Sequence, residues 1–205
     1  PPFIHTRTNY FGNTGRTCDN YDTNGLHGGV FYLEPQATVE ANNNVAGATK
    51  MGSITDGTSN TAMFAEGLKG TVAIGEGQWG NANHLWDSRL VDKALMLSDP
   101  LIRPALCIAT ISAYRVRGIN LPGCRFPLNY YNHSLTPNDR GPDCWFAASE
   151  KGQNVGHIAA RSYHTGGAQY ALCDGSIHFA SDSIDRLTWG RVGARGDGEV
   201  FSMEQ

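Results

Sequence analysis

The 205-residue chain predicts an α+β fold: an antiparallel β-sheet with glycine-rich turns, one or two short helices and a long loop-rich middle insertion. Three observations lead there. Twenty-five glycines, with frequent Asn and Thr, favour turns and short strands over long helices. Near the C-terminus, Ala168 to Leu172 is apolar apart from Gln169, and Ser176 to Phe179 alternates polar and apolar. Asp174-Gly175 lies between them, the pattern of a hairpin with an Asp-Gly turn. Helix-compatible spacing is strongest in residues 81–118, where Leu85, Trp86, Leu90, Ala94, Leu95 and Leu97 recur until Pro100 and Pro104 interrupt.

Each element follows in order. Residues 1–50 read as irregular, with one strand over Val30 to Leu33 after a glycine turn. Asp56 to Asn60 offers a turn, with Thr58 or Ser59 as a helix cap, and Thr61 to Glu66 reads as one helical turn entering a strand. Val72 to Ile74 and Gln78 to Gly80 add a hairpin-like piece. Gly118 to Pro142 contains four prolines and is expected to be an ordered loop. Ser183 to Trp189 predicts a short helix capped by Ser183 or Asp182, and Gly198-Glu199-Val200 a final strand. With no internal repeat and no linker, residues 1–205 are read as a single domain, and 81–150 as an insertion lying to one side.

Composition excludes several function classes. Charged residues make up 17% of the chain, and the formal net charge is −3 without a basic run, which argues against a nucleic-acid partner. No apolar run reaches the roughly 18 residues that span a bilayer. The chain starts at Pro1-Pro2-Phe3 rather than Met, which reads as the interior of a longer product. Five cysteines occur without a C-x-x-C pair, so a zinc ribbon or thioredoxin-type site is not expected. Cys124 and Cys144 flank a loop rich in Pro, Asn and Asp and are the disulfide candidates. Cys173, in an apolar strand pattern, reads as a buried thiol.

Five segments, taken in order, carry a resemblance. They are Asn9-Tyr10 with Gly12 and Gly15; Ile54-Thr55-Asp56-Gly57-Thr58-Ser59-Asn60-Thr61 ending near Glu66; and Pro137-Asn138 before Cys144. His164-Thr165-Gly166-Gly167 through Asp174-Gly175-Ser176, and then Gly198-Glu199-Val200, complete the set. The chain resembles the prepilin-type His-x9-Asp-Gly family of planctomycete bacteria, which also carries an older label as extracellular solute-binding proteins. The resemblance implies a pilin-like globular domain, outside the cell or on its surface. It establishes no activity. Family members begin with a prepilin leader and one long apolar helix, and neither lies in these 205 residues. If the mature protein carries no such helix, contacts between globular domains must carry assembly.

The candidate residues have competing readings. His164 with Asp174 has the types of a general base or metal pair, but lacks a third partner; the favoured reading is a structural hairpin in which His164 locks Gly166 and Gly167 beside Asp174-Gly175. Asp56, with Gly57 and Asn60, lacks the alternating acidic ligands of an EF-hand and reads as an Asx-turn. Asp182, Asp185 and Asp197 are the acidic candidates for calcium; no other cofactor is expected. Neither Ser59 nor Ser162 lies in G-x-S-x-G, and Glu66 and Glu76 have no evident partner. Trp79, Trp86 and Trp145, with Tyr130 and Tyr131, have the chemistry to stack on sugars, although such side chains more often fill a core. Asn132-His133-Ser134 is a glycosylation sequon in an expected surface loop. The chain is therefore expected to be a non-enzymatic, self-associating extracellular subunit of a filament or surface layer. The alternative is a secreted carbohydrate- or solute-binding module.

Overall fold

The computed structural model describes residues 7–19, 27–33, 46–47, 49–70, 72, 79–118, 128–147 and 154–199. Cys124, Glu76, Val200 and most of the hairpin piece expected over 72–80 lie outside the described residues. In chain order the strands are β1 (Tyr10–Asn13), β2 (Tyr32–Leu33), β3 (Ala46–Gly47), β4 (Ala62–Glu66), β5 (Trp79–Asn81) and β6 (Ser88–Leu90). Helices α1 (Lys93–Leu97) and α2 (Ala105–Ala109) follow, then β7 (Ser112–Tyr114), β8 (Tyr130–Tyr131), β9 (Cys144–Ala147), β10 (Asn154–His157), β11 (Gly167–Leu172), β12 (Ile177–Ser181) and helix α3 (Arg186–Gly193).

The α+β class stands, with two corrections of detail. The described residues form two five-stranded sheets, ordered β12-β11-β4-β1-β8 and β10-β9-β6-β7-β5, each with one parallel pair, β1 with β8 and β6 with β9, and a two-stranded sheet of β2 and β3. The second sheet is built largely from the stretch expected to be loop and helix. The short 3-10 turn lies at Met51–Ser53, before the Asp56 loop, and all of Ala62–Glu66 is strand.

The C-terminal hairpin forms as predicted, but the apolar positions Ile177 and Phe179 of its second strand face outward and Ala180 is the buried one. Ala168, Tyr170 and Leu172 point into the core while Gln169 is exposed. The loop is Cys173-Asp174-Gly175. Gly175 N donates to the Leu172 carbonyl, and Gly175 then takes φ +88°, a type I turn closed by a left-handed glycine. Ser176 donates both N–H and Oγ to Asp174 Oδ1, which holds that carboxyl below its usual range. Asp185 caps α3, accepting from Thr188 N; neither Ser183 nor Asp182 is the cap, because the chain enters the helix two residues later than expected. Trp189 of α3 is fully buried, edge-on to Tyr170 at 5.4 Å, with Nε1 donating to the Leu135 carbonyl.

One apolar cluster joins the two sheets, from Phe11, Tyr130 and Tyr170 to Tyr114, Trp145 and Ile158. Alongside it run two buried polar groupings. In the first, Asp143 accepts Arg117 Nη1 at 2.6 Å, Arg161 Nη2 at 2.8 Å and Ala159 N at 3.2 Å. In the second, His133 Nδ1 donates to the Trp189 carbonyl, which leaves Nε2 to accept from Tyr131 Oη at 3.0 Å. Ser134 Oγ donates to Asn132 Oδ1 and so accepts from His157 Nδ1 at 2.9 Å. Burial holds both imidazoles neutral, with pKa lowered to about 3 in each case.

The cysteine and sequon expectations are corrected. Cys144 is bonded to Cys107 of α2, not to Cys124. Leu106 and Ile108 turn outward, so α2 presents Cys107 to the start of β9 in a small core with Cys18, Val91 and Met96. Cys18 is a buried free thiol, its pKa raised to about 12 by desolvation, while Cys173 is free, half-buried and raised to about 11. Asn132 is fully buried, with Nδ2 donating to the Gly156 carbonyl, so the sequon is not a surface glycan site in this fold.

Two outcomes are expected. Gly175→Val is expected to destabilise by about 2 kcal/mol in urea unfolding, because a β-branched residue is strained at positive φ. The space around Gly175 is open, so the penalty is conformational, and Gly52→Ala, at an equally open site without positive φ, is expected to be near neutral. The second concerns pH. The folded pKa values of His133 and His157 lie below an unfolded value near 6.5, so their contribution is complete above pH 6.5 and is lost as pH falls toward 3. Each histidine is expected to contribute a slope approaching 1.4 kcal/mol per pH unit within that window. Urea midpoints that stay flat between pH 7 and pH 4.5 would contradict it.

Candidate functional site

The His164 segment is held by side-chain bonds to backbone. Asn138, itself at φ +50°, accepts Ser162 N on Oδ1 and donates Nδ2 to the Gly167 carbonyl. Ser162 Oγ donates to that same carbonyl and accepts His164 N. Gly166 takes φ +83°, and a side chain at Gly167 would collide with the Ala180 carbonyl. The segment therefore turns tightly onto β11 and projects His164 sideways across the sheet.

His164 meets Glu66, not Asp174. Its Nε2 is 3.2 Å from Glu66 Oε1, while Glu66 Oε2 accepts Gln169 N at 2.8 Å. Glu66 ends β4 and is 7% exposed, whereas the His164 side chain is 55% exposed. His164 and Asp174 flank opposite ends of the six-residue β11, about 20 Å apart at strand spacing. The two signature residues thus do separate jobs. Asp174 closes the turn, and His164 covers a carboxylate.

A cleft of about 400 Å³ opens beside this pair, lined by Asn9, Leu68, Lys69, Ser162 and Tyr163 among others. Tyr163 is 82% exposed and stands edge-on to Trp86 at 6.1 Å; Trp86 stacks on His84 at 4.5 Å. Arg161 also lines the cleft, but Asp143, the Asp139 carbonyl and the Gly141 carbonyl engage its guanidinium. A Glu-His pair needs a hydroxyl or thiol on the free side of the imidazole to act as a nucleophilic triad. Ser162, two residues before His164, directs its proton to the Gly167 carbonyl instead. What this arrangement offers chemically is hydrogen bonding and an aromatic edge.

The remaining candidates are dispersed. Asp56 does not form a local Asx-turn: its carboxylate accepts Asp197 N at 2.8 Å and Gly198 N at 2.9 Å, clasping a segment about 140 residues away. Gly57 takes φ +95°, Asn60 Nδ2 donates to the Asp56 carbonyl, and Thr61 Oγ1 to the Gly57 carbonyl. Of the calcium candidates, Asp197 is paired with Arg16 at 3.1 Å, and its carboxyl is pushed up by desolvation and by the neighbouring Asp56. Asp185 caps α3, and Asp182 stands exposed after β12. No group of three or more His, Cys, Asp or Glu side chains is placed to hold a metal among the described residues. Trp145, Tyr130 and Tyr131 are core residues, while Trp79 is 47% exposed and stacks on Trp145 at 5.9 Å.

The sequence reading missed Glu66 as the partner of His164, the Asp143 ion cluster and the aromatic edge at Tyr163. Position gave one hint, since Tyr163 directly precedes the signature histidine. Nothing local pointed to the other two, whose partners are up to 98 residues apart.

No curated protein and no solved structure matches the chain. A family profile does, over residues 4–187. The chain therefore belongs to the family of proteins of unknown function DUF1559, short label SBP_bac_10.

Proposed function

We propose that the protein is a non-enzymatic structural subunit that acts outside the cell or on its surface by associating with copies of itself. One observation carries this reading: a run of exposed large apolar side chains between Leu95 and Ile111. Leu95, Leu101, Ile102, Leu106, Ile108 and Ile111 are between 38% and 64% exposed, on and around two short helices. Isolated exposed apolar residues are ordinary, but six within 17 positions are a dense local concentration of exposed apolar surface. A formal net charge of −3 offers little repulsion against association. Two further facts support it. The Ser134 hydroxyl is committed to Asn132 Oδ1, and the Ser162 hydroxyl, close to His164 in sequence, to the Gly167 carbonyl.

A second reading has its own observation, the cleft beside Glu66 and His164 flanked by exposed Tyr163. A ring of this kind beside hydrogen-bonding groups suits a sugar or small polar solute. Heat on titration with glycans, abolished by Tyr163→Ala, would favour it.

Ile108→Asp combined with Ile111→Asp is expected to leave circular dichroism and melting unchanged, because both side chains are already exposed. Sedimentation velocity is expected to show concentration-dependent assembly of the native chain and a shift toward monomer in the double variant. A native chain that stays monomeric at millimolar concentration would overturn the reading.

A further inference from the structure

Strand β12 is an edge, and its pairing with β11 decides which of its backbone groups remain unused. Asp182 N donates to the Gly166 carbonyl and Leu172 N to the Ser176 carbonyl, in an antiparallel register that pairs Ala168 with Ala180 and Tyr170 with His178. The hydrogen-bonded positions of this strand are therefore 176, 178, 180 and 182. At Ile177 and Phe179 both N–H and C=O point away from the sheet, and so does Ser181 N–H; the Ser181 carbonyl already accepts Ile184 N. Among the described residues no strand pairs with that side.

Natural sheets blunt such edges with Lys, Pro, bulges or a cover. Among the described residues β12 has none of these: it reads Ile-His-Phe-Ala-Ser, and the sheet's irregularity falls between β11 and β4. Ile177 is 71% exposed and Phe179 43%. The other edges differ. β8 is buried, β10 is bridged by Asp19 and donates Gly156 N to the Cys18 carbonyl, and β5 has three residues.

We propose that β12 is a self-recognition edge that pairs antiparallel with β12 of a second copy, across a two-fold axis through Phe179. The register follows from the unused groups. Only positions 177, 179 and 181 offer them, and centring on Phe179 engages all three, with Ile177 opposite Ser181 of the second copy. Charge selects the direction. Antiparallel pairing sets Asp182 opposite Ser176, whereas a parallel in-register pair would set Asp182 against Asp182. The two upper sheets become one continuous sheet, with the Phe179 rings adjacent. This rests on the reading of the protein as a self-associating subunit and names one of its contacts.

The test uses proline. Phe179→Pro removes a donor that the monomer does not use, whereas His178→Pro removes one that the β11 ladder needs. Phe179→Pro is expected to keep the monomer folded and to weaken self-association about tenfold or more, since both copies lose a bond. Ile177→Lys is expected to weaken it similarly, and His178→Pro to unfold the hairpin. In the unsubstituted chain, amide exchange at Ile177, Phe179 and Ser181 is expected to be fast when dilute and slow when assembled, while His178 and Ala180 stay protected throughout. Assembly unchanged by Phe179→Pro, or odd-position amides equally fast in the assembled state, would overturn the edge pairing and leave the assembly reading intact. A chain that never assembles would overturn both.

Discussion

The Asp143 carboxylate is fully buried between two guanidiniums, and both sheets are fastened to it. Burying charge is costly unless the partners are aligned and their remaining donors are engaged. Here the alignment is close, with Arg117 on one oxygen and Arg161 on the other through both Nε and Nη2, although Nε and Nη2 of Arg117 are buried without a hydrogen-bond partner. Desolvation pushes Arg117 down to about 10, with Asp143 and the buried Asp87 acting in the opposite direction. The guanidinium also lies 4.8 Å from the centre of the Phe11 ring, in the core of the first sheet. Arg161 N donates to the Glu66 carbonyl at the end of β4, and the Asp143 backbone bonds Leu85 and Arg89 of the second sheet's segment. Cys144, the next residue, carries the disulfide to α2. A single carboxylate thus sets the distance between the two sheets, and any change at Asp143 would strand two buried cations.

That cluster also explains the character of the cleft. Arg161 lines it but is committed below it, so the cation that sequence position places beside His164 is unavailable to a ligand. Three residues of the resembling segments are committed in the same manner. Asp56 collects two amides, Asn138 spans Ser162 and Gly167, and Asp174 closes its turn. Each replaces a strand-to-strand backbone bond that an irregular loop cannot make. A fold with short strands and many glycine turns leaves many orphan amides and carbonyls, and Asn and Asp side chains are suited to meeting them. The signature is therefore a record of backbone satisfaction.

What was legible in the sequence was local. The hairpin around Asp174-Gly175 follows from alternation over a dozen residues and from a glycine that a positive φ requires. The short C-terminal helix was also visible, with its cap misplaced because Asp182, Ser183 and Asp185 are all good caps and only packing of Trp189 chooses among them. The second sheet was not visible. Its strands run three or four residues, too few for period-two patterning, and Ser88-Arg89-Leu90 resembles a loop until β7 and β9 flank it. The pairing of Cys144 and the partner of His164 were hidden for a different reason. Both depend on chain segments brought together across the sheets, and spacing in sequence carries no information about them. Asn132-His133-Ser134 was misread as surface because its composition is polar, although its amide, imidazole and hydroxyl satisfy one another and the neighbouring backbone in the core.

The same contrast bears on chemistry. Ser134 and His157 have the types and the separation of a nucleophile and its base, yet the hydroxyl proton is aimed at Asn132, the imidazole is the donor, and both side chains are buried. At the second place His164 is exposed beside a buried Glu66, and the Ser162 hydroxyl is bonded to the Gly167 carbonyl. Reactivity needs geometry and access together. The molecule's polar groups are turned inward to hold irregular loops, while Ile108, Ile111, Ile177 and Phe179 are turned outward. Outward-facing apolar side chains of this kind are what the assembly reading needs.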